Sequence, residues 1–265
     1  MTTLALLHTS PVHVPVFDAL RDDEAPGIQL RHLVHAQLLD RARESGPDAV
    51  AGGVRTVLAD AVARGAGAVL CTCSTIGAVA EAEAASLGVP VLRVDRPMAA
   101  AAVAAGPRIV VVAALASTLE PTAALIREEA RAREDACARE DARAREGARA
   151  IAGARAREEA RACEGARAGE EACAREVVGV RSLDLRMVLA DDAWAHFESG
   201  DMDAYAAAIV RTVDALRHVD VVVLAQASMA PAAARAAIGV PVLASPRLGL
   251  RAAAASVGRL TRWVG

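Results

Sequence analysis

No lysine occurs in the 265 residues, and all 30 basic side chains are arginine. Without lysine the chain can form neither a Schiff base with pyridoxal phosphate nor the lysine contact of a Walker-type phosphate loop, so two large reaction classes are excluded. The net charge of -3 offers nothing to a polyanion, so no nucleic-acid partner is expected. The N-terminal stretch has no arginine before Arg21 and is broken by Pro11 and Pro15, unlike the charged start and apolar run of a signal peptide. Residues 98–116 are apolar enough to suggest a membrane span, but Gly106-Pro107-Arg108 divides them into a helix end and a new strand, so none is expected. Five cysteines, an odd number, with no export signal point to free thiols and a cytoplasmic protein. No second cysteine pair stands at zinc spacing from Cys71 and Cys73, so no metal is expected. Gly65-Ala66-Gly67 lacks a third glycine and precedes an apolar run, which makes it a helix stop and not a dinucleotide fingerprint.

What is present, at 54% hydrophobic content, is enough apolar material for one large core or two smaller ones, and the chain repeats itself. Val54-Arg55-Thr56-Val57 recurs as Val210-Arg211-Thr212-Val213, each in a helical pattern leading to an apolar run, residues 68–71 and 219–225. Both runs read as buried parallel strands. They are followed by Cys73-Ser74-Thr75-Ile76 and Ala227-Ser228-Met229-Ala230, each opening an alanine-rich helix that ends in Gly-Val-Pro-Val-Leu, with Gly88 and Gly239 as matching helix caps. Residues 30–34 match 185–189, and the opening strand with Val14-Pro15 matches 109–113 with Glu120-Pro121. The expected fold is α/β, with two pseudo-symmetric Rossmann-like lobes, each a parallel sheet covered by helices and each binding ligands beyond the carboxyl ends of its strands. The expected division is 1–97 with 246–265 for the first lobe and 98–245 for the second.

The offset between matching positions grows from 106 at the first strand to 155 at the second, an insertion of about 49 residues. It falls on residues 130–177, an Ala/Arg/Glu-rich hexad repeat with almost no large apolar side chain. A period of six turns about 600° on a helix, so successive hexads point about 240° apart and build no apolar stripe. Alanine, arginine and glutamate favour a solvated helix, while Gly147, Gly153, Gly165 and Gly169 favour fraying or disorder. Cys137, Cys163 and Cys173 belong to this low-complexity tract and are read as incidental.

Cys71-Thr72-Cys73-Ser74-Thr75 stands where a buried strand gives way to a helix. Free backbone N–H groups and the positive end of a helix dipole there can hold a carboxylate, with Ser74 and Thr75 adding hydroxyls. The same field favours a thiolate, making Cys73 a base or nucleophile, whereas Cys71 reads as core. A buried, inert Cys73 is the competing reading. The first strands of the two lobes should end near the same cleft, which adds His8, Thr9 and Ser10 from one lobe and Ser117 and Thr118 from the other. Ser228 and Met229 join them from the match to Ser74 and Thr75. His8 could act as acid or base or be purely structural. His32 and His35, three apart on a strand, point to opposite faces and are set aside. Trp194, His196 and Phe197 follow the second strand of the second lobe, where a pocket wall or plain packing would serve equally, with packing the default.

This pattern resembles the aspartate/glutamate/hydantoin racemase superfamily, across the whole chain outside residues 130–177. The resemblance is carried by Thr72-Cys73-Ser74-Thr75-Ile76-Gly77, by Leu224-Ala225-Gln226-Ala227-Ser228-Met229-Ala230, and by a Pro-Arg-Leu-Gly turn at Pro246 to Gly249. It implies a cofactor-independent enzyme acting on a small carboxylate or amino acid, built from two similar lobes, with Cys73 as the first catalytic cysteine and a homo-oligomer as a further expectation. The second catalytic cysteine should stand at Ala227, where alanine can neither take nor give a proton. Two-thiol racemisation needs two opposed groups, so one-cysteine chemistry of the arylmalonate decarboxylase or maleate isomerase type is the better match. A two-lobed carboxylate-binding or regulatory protein without turnover is the alternative.

Overall fold

The computed structural model describes residues 3–162 and 182–261. A first sheet holds β1 (Thr3–His8), β2 (Gln29–Val34), β3 (Ala66–Cys71) and β4 (Val91–Arg93), in the order β2-β1-β3-β4 with every pair parallel. A second holds β5 (Arg108–Ala113), β6 (Asp184–Leu189), β7 (Val221–Leu224) and β8 (Val242–Ala244), in the same order, β6-β5-β7-β8, and again parallel. The helices of the first half are α1 (His13–Glu24), α2 (Ala36–Ser45), α3 (Ala51–Ala63), α4 (Ser74–Ala82), α5 (Ala84–Leu87) and α6 (Arg96–Ala105). Those that follow are α7 (Leu119–Ala162), α8 (Ala193–Ser199), α9 (Met202–Asp214), α10 (Ala230–Ala233) and α11 (Ser245–Thr261). The expected α/β fold with a duplicated parallel sheet is the one observed, and the literal repeat sits inside α3 and α9.

Side-chain alternation explains why the central strands are apolar along their whole length. Leu4, Leu6 and Leu70 pack with Phe17, Leu250 and Val257 on one face of the first sheet, while Ala5, Leu7 and Val69 pack with Val54, Leu58 and Ile76 on the other. In the second sheet Ile109, Val111 and Val223 meet Met98, Leu125 and Ile126, and Val110, Val112 and Leu224 meet Tyr205, Ile209 and Met229. The edge strands β2 and β6 are only partly covered, and each carries an arginine at the matching place. Arg31 Nη1 donates to the Arg64 carbonyl at 2.8 Å, and Arg186 Nη2 donates to the Arg217 and His218 carbonyls at 3.0 Å. Both guanidinium groups thus cover carbonyls just past a helix C-terminus, where the dipole favours positive charge. Gly88 and Gly239 both have left-handed backbones, φ 66° and 78°, so the repeated turn before Val-Pro is real.

Two expectations change. The helix after β7 is short: a 3-10 turn, Ala227–Met229, and the four residues of α10. The Ala237 N–H, just beyond it, is taken by Asp214 Oδ1 at 2.8 Å and no longer by the helix. The Pro-Arg-Leu-Gly segment is not a turn but lies within the first turns of α11, because proline is tolerated at a helix start and glycine is needed there for another reason. A Cβ on Gly249 would lie 2.5 Å from the Val94 carbonyl oxygen, so α11 can cross this backbone only without a side chain. Gly249→Ala is expected to cost about 2–3 kcal/mol through overpacking against a rigid carbonyl. Urea unfolding of the variant measures it, and an unchanged midpoint would show that α11 can shift freely.

The chain divides into two compact units, Met1–Glu129 with Leu183–Gly265, and Ala130–Ser182. Both sheets belong to the first. The second holds the hexad repeat, which continues α7 as helix to Ala162; the side chains of residues 131–135 and 137–149 are exposed, as a sequence with no apolar face requires. Gly147 and Gly153 are accommodated in that helix, whereas Cys163, Cys173, Gly165 and Gly169 lie outside the described residues. Among the described residues, no helix is long and apolar enough to cross a membrane.

Candidate active site

In both sheets the chain leaves the first strand to one neighbour and returns to the other, so β1 and β3, and likewise β5 and β7, end at a switch point where a crevice must open. The segments following these four strands line one cleft. Thr9 and Ser10 follow β1, Thr72 to Thr75 follow β3, Leu115 and Thr118 follow β5, and Ala225 to Ser228 follow β7. His13 from α1, Leu39 from α2, and Trp194 and Phe197 from α8 complete the wall.

Cys73 is the N-cap residue of α4, half-buried, with an extended backbone that turns the chain from strand to helix. Ser74 and Thr75 open the helix, whose first N–H groups have no intrahelical partner. The Ser74 hydroxyl donates to the Ala225 carbonyl at 3.0 Å, joining the first lobe's helix to the end of β7. Thr75 is buried, and its hydroxyl has no hydrogen-bond partner among the described residues. Free N–H groups, the positive helix end and an unpaired buried hydroxyl together make a cradle for an anion of carboxylate size. Cys71 is fully buried with Leu7 and Ile76, and burial pushes its thiol well above the ordinary range, so it is core as expected.

Across the cleft the place matching Cys73 is held by Gln226 and not, as expected, by Ala227. Cys71 pairs with Arg93 as Leu224 pairs with Ala244, so Cys73 and Gln226 each stand two residues past the strand as the extended N-cap of the next turn, and Ala227 opens its turn as Ser74 opens α4. Beside Ala227 the Ser228 hydroxyl lies 2.9 Å from the Tyr205 hydroxyl, and burial pushes the tyrosine up to about 12 against the opposing effect of that hydrogen bond. Gln226 accepts from the Ala114 and Leu115 N–H groups at 2.7 and 3.1 Å, which fixes the loop after β5. Trp194 and Phe197 are stacked at 4.8 Å, one helical turn apart on α8, and present an aromatic wall. Burial holds His13 down at about 4, so it is neutral near pH 7, and among the described residues no arginine lines the cleft. Among the described residues, no group of three or more His, Cys, Asp or Glu side chains could hold a metal ion.

Of the residues picked from sequence, Thr9, Ser10, Cys73, Ser74, Thr75, Thr118 and Ser228 come together at the cleft, and His8, Ser117 and Met229 do not. His8 continues the Leu4–Leu6 side of β1, so its ring turns inward, fully buried, against Phe17. Met229 is fully buried among Tyr205, Ile209 and Leu224. In the three-residue turn Ala116–Thr118 it is Thr118 that reaches the cleft, while the Ser117 hydroxyl is buried without a partner. His32 does not line the cleft either, but its Nδ1 lies 2.8 Å from Nε2 of His8. His13, Leu39, Leu115, Gln226 and Tyr205 were missed, and Trp194 and Phe197 serve the cleft as well as packing. The one local clue was the aromatic pair at a spacing of three on a helix that follows a strand end.

No family model matches the chain, and no curated protein sequence matches it. Solved structures do. An aspartate racemase from Picrophilus torridus superposes with a TM-score of 0.58 at 12% identity, covering 97% of this chain and 95% of that one. A glutamate racemase isoform from Bacillus anthracis gives 0.58 at 11%, covering 100% and 83%. Arylmalonate decarboxylase gives 0.51 at 17%, covering 97% and 92%. With the same sheet order in each half and the cleft at the strand ends, the chain has the two-lobed α/β fold of the aspartate and glutamate racemases and of arylmalonate decarboxylase.

Proposed function

We propose that the protein is a cofactor-independent enzyme that makes or breaks a bond at the α-carbon of a small carboxylate, with Cys73 as its single acid–base thiol. One observation carries this reading: a half-buried cysteine at the N-terminus of α4 beside a Thr75 hydroxyl with no partner among the described residues, with Gln226, whose amide can neither take nor give a proton, at the matching place opposite. The substrate carboxylate would lie on the α4 N–H groups and Thr75, which stabilise negative charge as it spreads from the α-carbon onto the carboxylate oxygens. Cys73 then delivers its proton to one face of that carbon. Loss of carbon dioxide from a disubstituted malonate fits this arrangement: the C–C bond breaks, its electron pair enters the enediolate, the Cys73 proton closes the α-carbon, and the thiolate takes a proton from water. The stacked Trp194 and Phe197 with Leu39 and Leu115 favour an apolar or aromatic substituent on that carbon. A second, distal carboxylate finds no cation in the cleft, so its burial would go uncompensated. The free thiols Cys71 and Cys73 are in keeping with a cytoplasmic protein.

The test is incubation with α-aryl and α-alkyl malonates, and with aspartate and glutamate, in deuterated water. Carbon dioxide release or α-deuteration is expected for apolar-substituted acids, with no appreciable racemisation of the two amino acids. Rapid racemisation of either would reveal a second base. Binding of these acids without turnover or exchange would make the protein a carboxylate binder instead.

A further inference from the structure

A line of hydrogen-bonded side chains runs from the surface to the cleft. Asp18 on α1, with its side chain 47% exposed, meets His32 Nε2 at 3.1 Å. His32 Nδ1 lies 2.8 Å from His8 Nε2, and His8 Nδ1 lies 2.8 Å from the Thr72 hydroxyl. Thr72 lines the cleft and immediately precedes Cys73. Each link between these groups holds one proton, so the state at one end fixes the direction of every bond.

With His32 neutral, the Asp18 carboxylate takes its Nε2–H. His32 Nδ1 must then accept from His8 Nε2–H, and His8 Nδ1 must accept the Thr72 hydroxyl proton. With His32 protonated, both its nitrogens donate, one to Asp18 and one to His8 Nε2. The single proton of His8 must then sit on Nδ1 and point at the Thr72 oxygen, whose own proton turns to the Leu7 carbonyl, 3.1 Å away. That carbonyl already accepts the Thr72 N–H at 3.0 Å, so it is satisfied in either arrangement. No heavy atom needs to move.

We propose that Asp18, His32 and His8 form a relay in which one proton taken up by His32 reverses the tautomer of His8, without charging it, and turns the Thr72 hydroxyl beside Cys73 from donor to acceptor toward His8. His8 and His32 are thus positioning residues that act through Thr72; neither lines the cleft. Burial, with the neighbouring His32 and His13, holds His8 at about 3, which suits a group that passes polarity on without storing charge. The titratable groups around the pair come from two elements besides β2: His8 itself from β1, and Asp18 and His13 from α1, the His13 ring lying 6.2 Å from His8. His13 is neutral over the same range and does not compete. The consequence for chemistry rests on the reading of Cys73 as the reactive group; the tautomer change does not.

Histidine side-chain nitrogen NMR of the full-length protein, from about pH 8.5 down to about 5.5 where histidines titrate, tests the relay. His8 is expected to carry its proton on Nε2 while His32 is neutral and on Nδ1 once His32 is protonated, with its two nitrogens never protonated together. In His32→Gln it should keep one tautomer throughout. The rate of Cys73 alkylation by iodoacetamide should show a step of roughly twofold, smaller than the effect of a direct hydrogen bond, because the reversing Thr72 hydroxyl bonds His8 or the Leu7 carbonyl and reaches the neighbouring thiol only through its dipole. That step should vanish in His32→Gln. A His8 that keeps one tautomer in the native protein, or that itself takes up a proton with His32, overturns the relay, as does a step that survives in His32→Gln. If the tautomer reverses but Cys73 resists alkylation at every pH, the relay stands and the reading of Cys73 as the reactive group falls.

Discussion

Cys73→Ser is expected to lower turnover roughly 10²- to 10⁴-fold, the range a positioned acid–base group contributes, while leaving the fold intact. A serine hydroxyl is too weak an acid to protonate an enediolate and too weak a base, unassisted, to take an α-proton. Because Cys73 is only half-buried at a helix N-cap, and serine is itself a favoured N-cap residue, little packing is lost and the cap is kept. Loss of activity with an unchanged unfolding midpoint therefore isolates chemistry from stability. The companion variant is Gln226→Cys, which puts a thiol at the matching N-cap on the opposite wall of the cleft at the expense of the two hydrogen bonds Gln226 accepts from the loop after β5. If the duplication aligns the two positions across a bound α-carbon, deuterium should enter from both faces and an enantiopure product should racemise. Catalytic groups must be placed within about 0.5 Å, so this gain is harder to obtain than the loss. The informative failure is the simpler one: full turnover in Cys73→Ser would remove Cys73 from the reaction.

Acid should destabilise the fold sharply. His8 and His13 are held at about 3 and about 4, below the ordinary 6.5, in both cases first by burial and for His8 also by His32 and His13. In the unfolded chain both take up protons as the pH falls through 6.5, whereas in the folded chain they do so only near 4 and 3. Stability from these groups is therefore complete above 6.5 and lost as the pH falls toward 3. At about 1.4 kcal/mol per pH unit for each group, the loss is of order 5 kcal/mol by about pH 4, comparable with the entire stability of many domains. Urea midpoints measured at neutral pH and at successively lower values should fall steeply, and His13→Gln should flatten about half of the slope. A midpoint that holds steady, or rises, on acidification would mean that water or a carboxylate reaches these rings.

The fold was legible because it is written in local chemistry repeated twice. Apolar runs at 68–71 and 219–225, identical Val-Arg-Thr-Val segments and identical Gly-Val-Pro-Val-Leu endings point to the strands and to their order without any long-range information, though not to the shortened helix after β7. The strand-end residue Cys73 followed from the same repeat, but its counterpart was read one residue too far along, at Ala227 where the strand registers put Gln226. What could not be read is whatever the third dimension decides. Trp194 and Phe197 look like packing residues until α8 is placed over the cleft, and Tyr205 has no mark in its own helix that it will meet Ser228. His32 was set aside on alternation alone, and alternation is what brings it to His8, since the two occupy paired positions on neighbouring strands offset by two. Gly249 shows the limit of local grammar: Pro-Arg-Leu-Gly reads as a turn, yet glycine is there to let α11 touch a backbone that passes Val94.

The hydrogen bond from Ser74 to the Ala225 carbonyl has a mechanical meaning. It spans 151 residues of sequence and fastens the helix end of the proposed carboxylate cradle in one half to the strand end of the other. Arg96 reinforces it, reaching Glu81 on α4 and both Glu128 and Glu129 on α7. Widening the cleft by a hinge between the halves must break the Ser74 bond, at about 1 kcal/mol, and slide this ionic clasp. Separating the two strand ends therefore carries the cost of this bond, and Ser74→Ala is expected to lower it by about 1 kcal/mol, read as a lower urea midpoint.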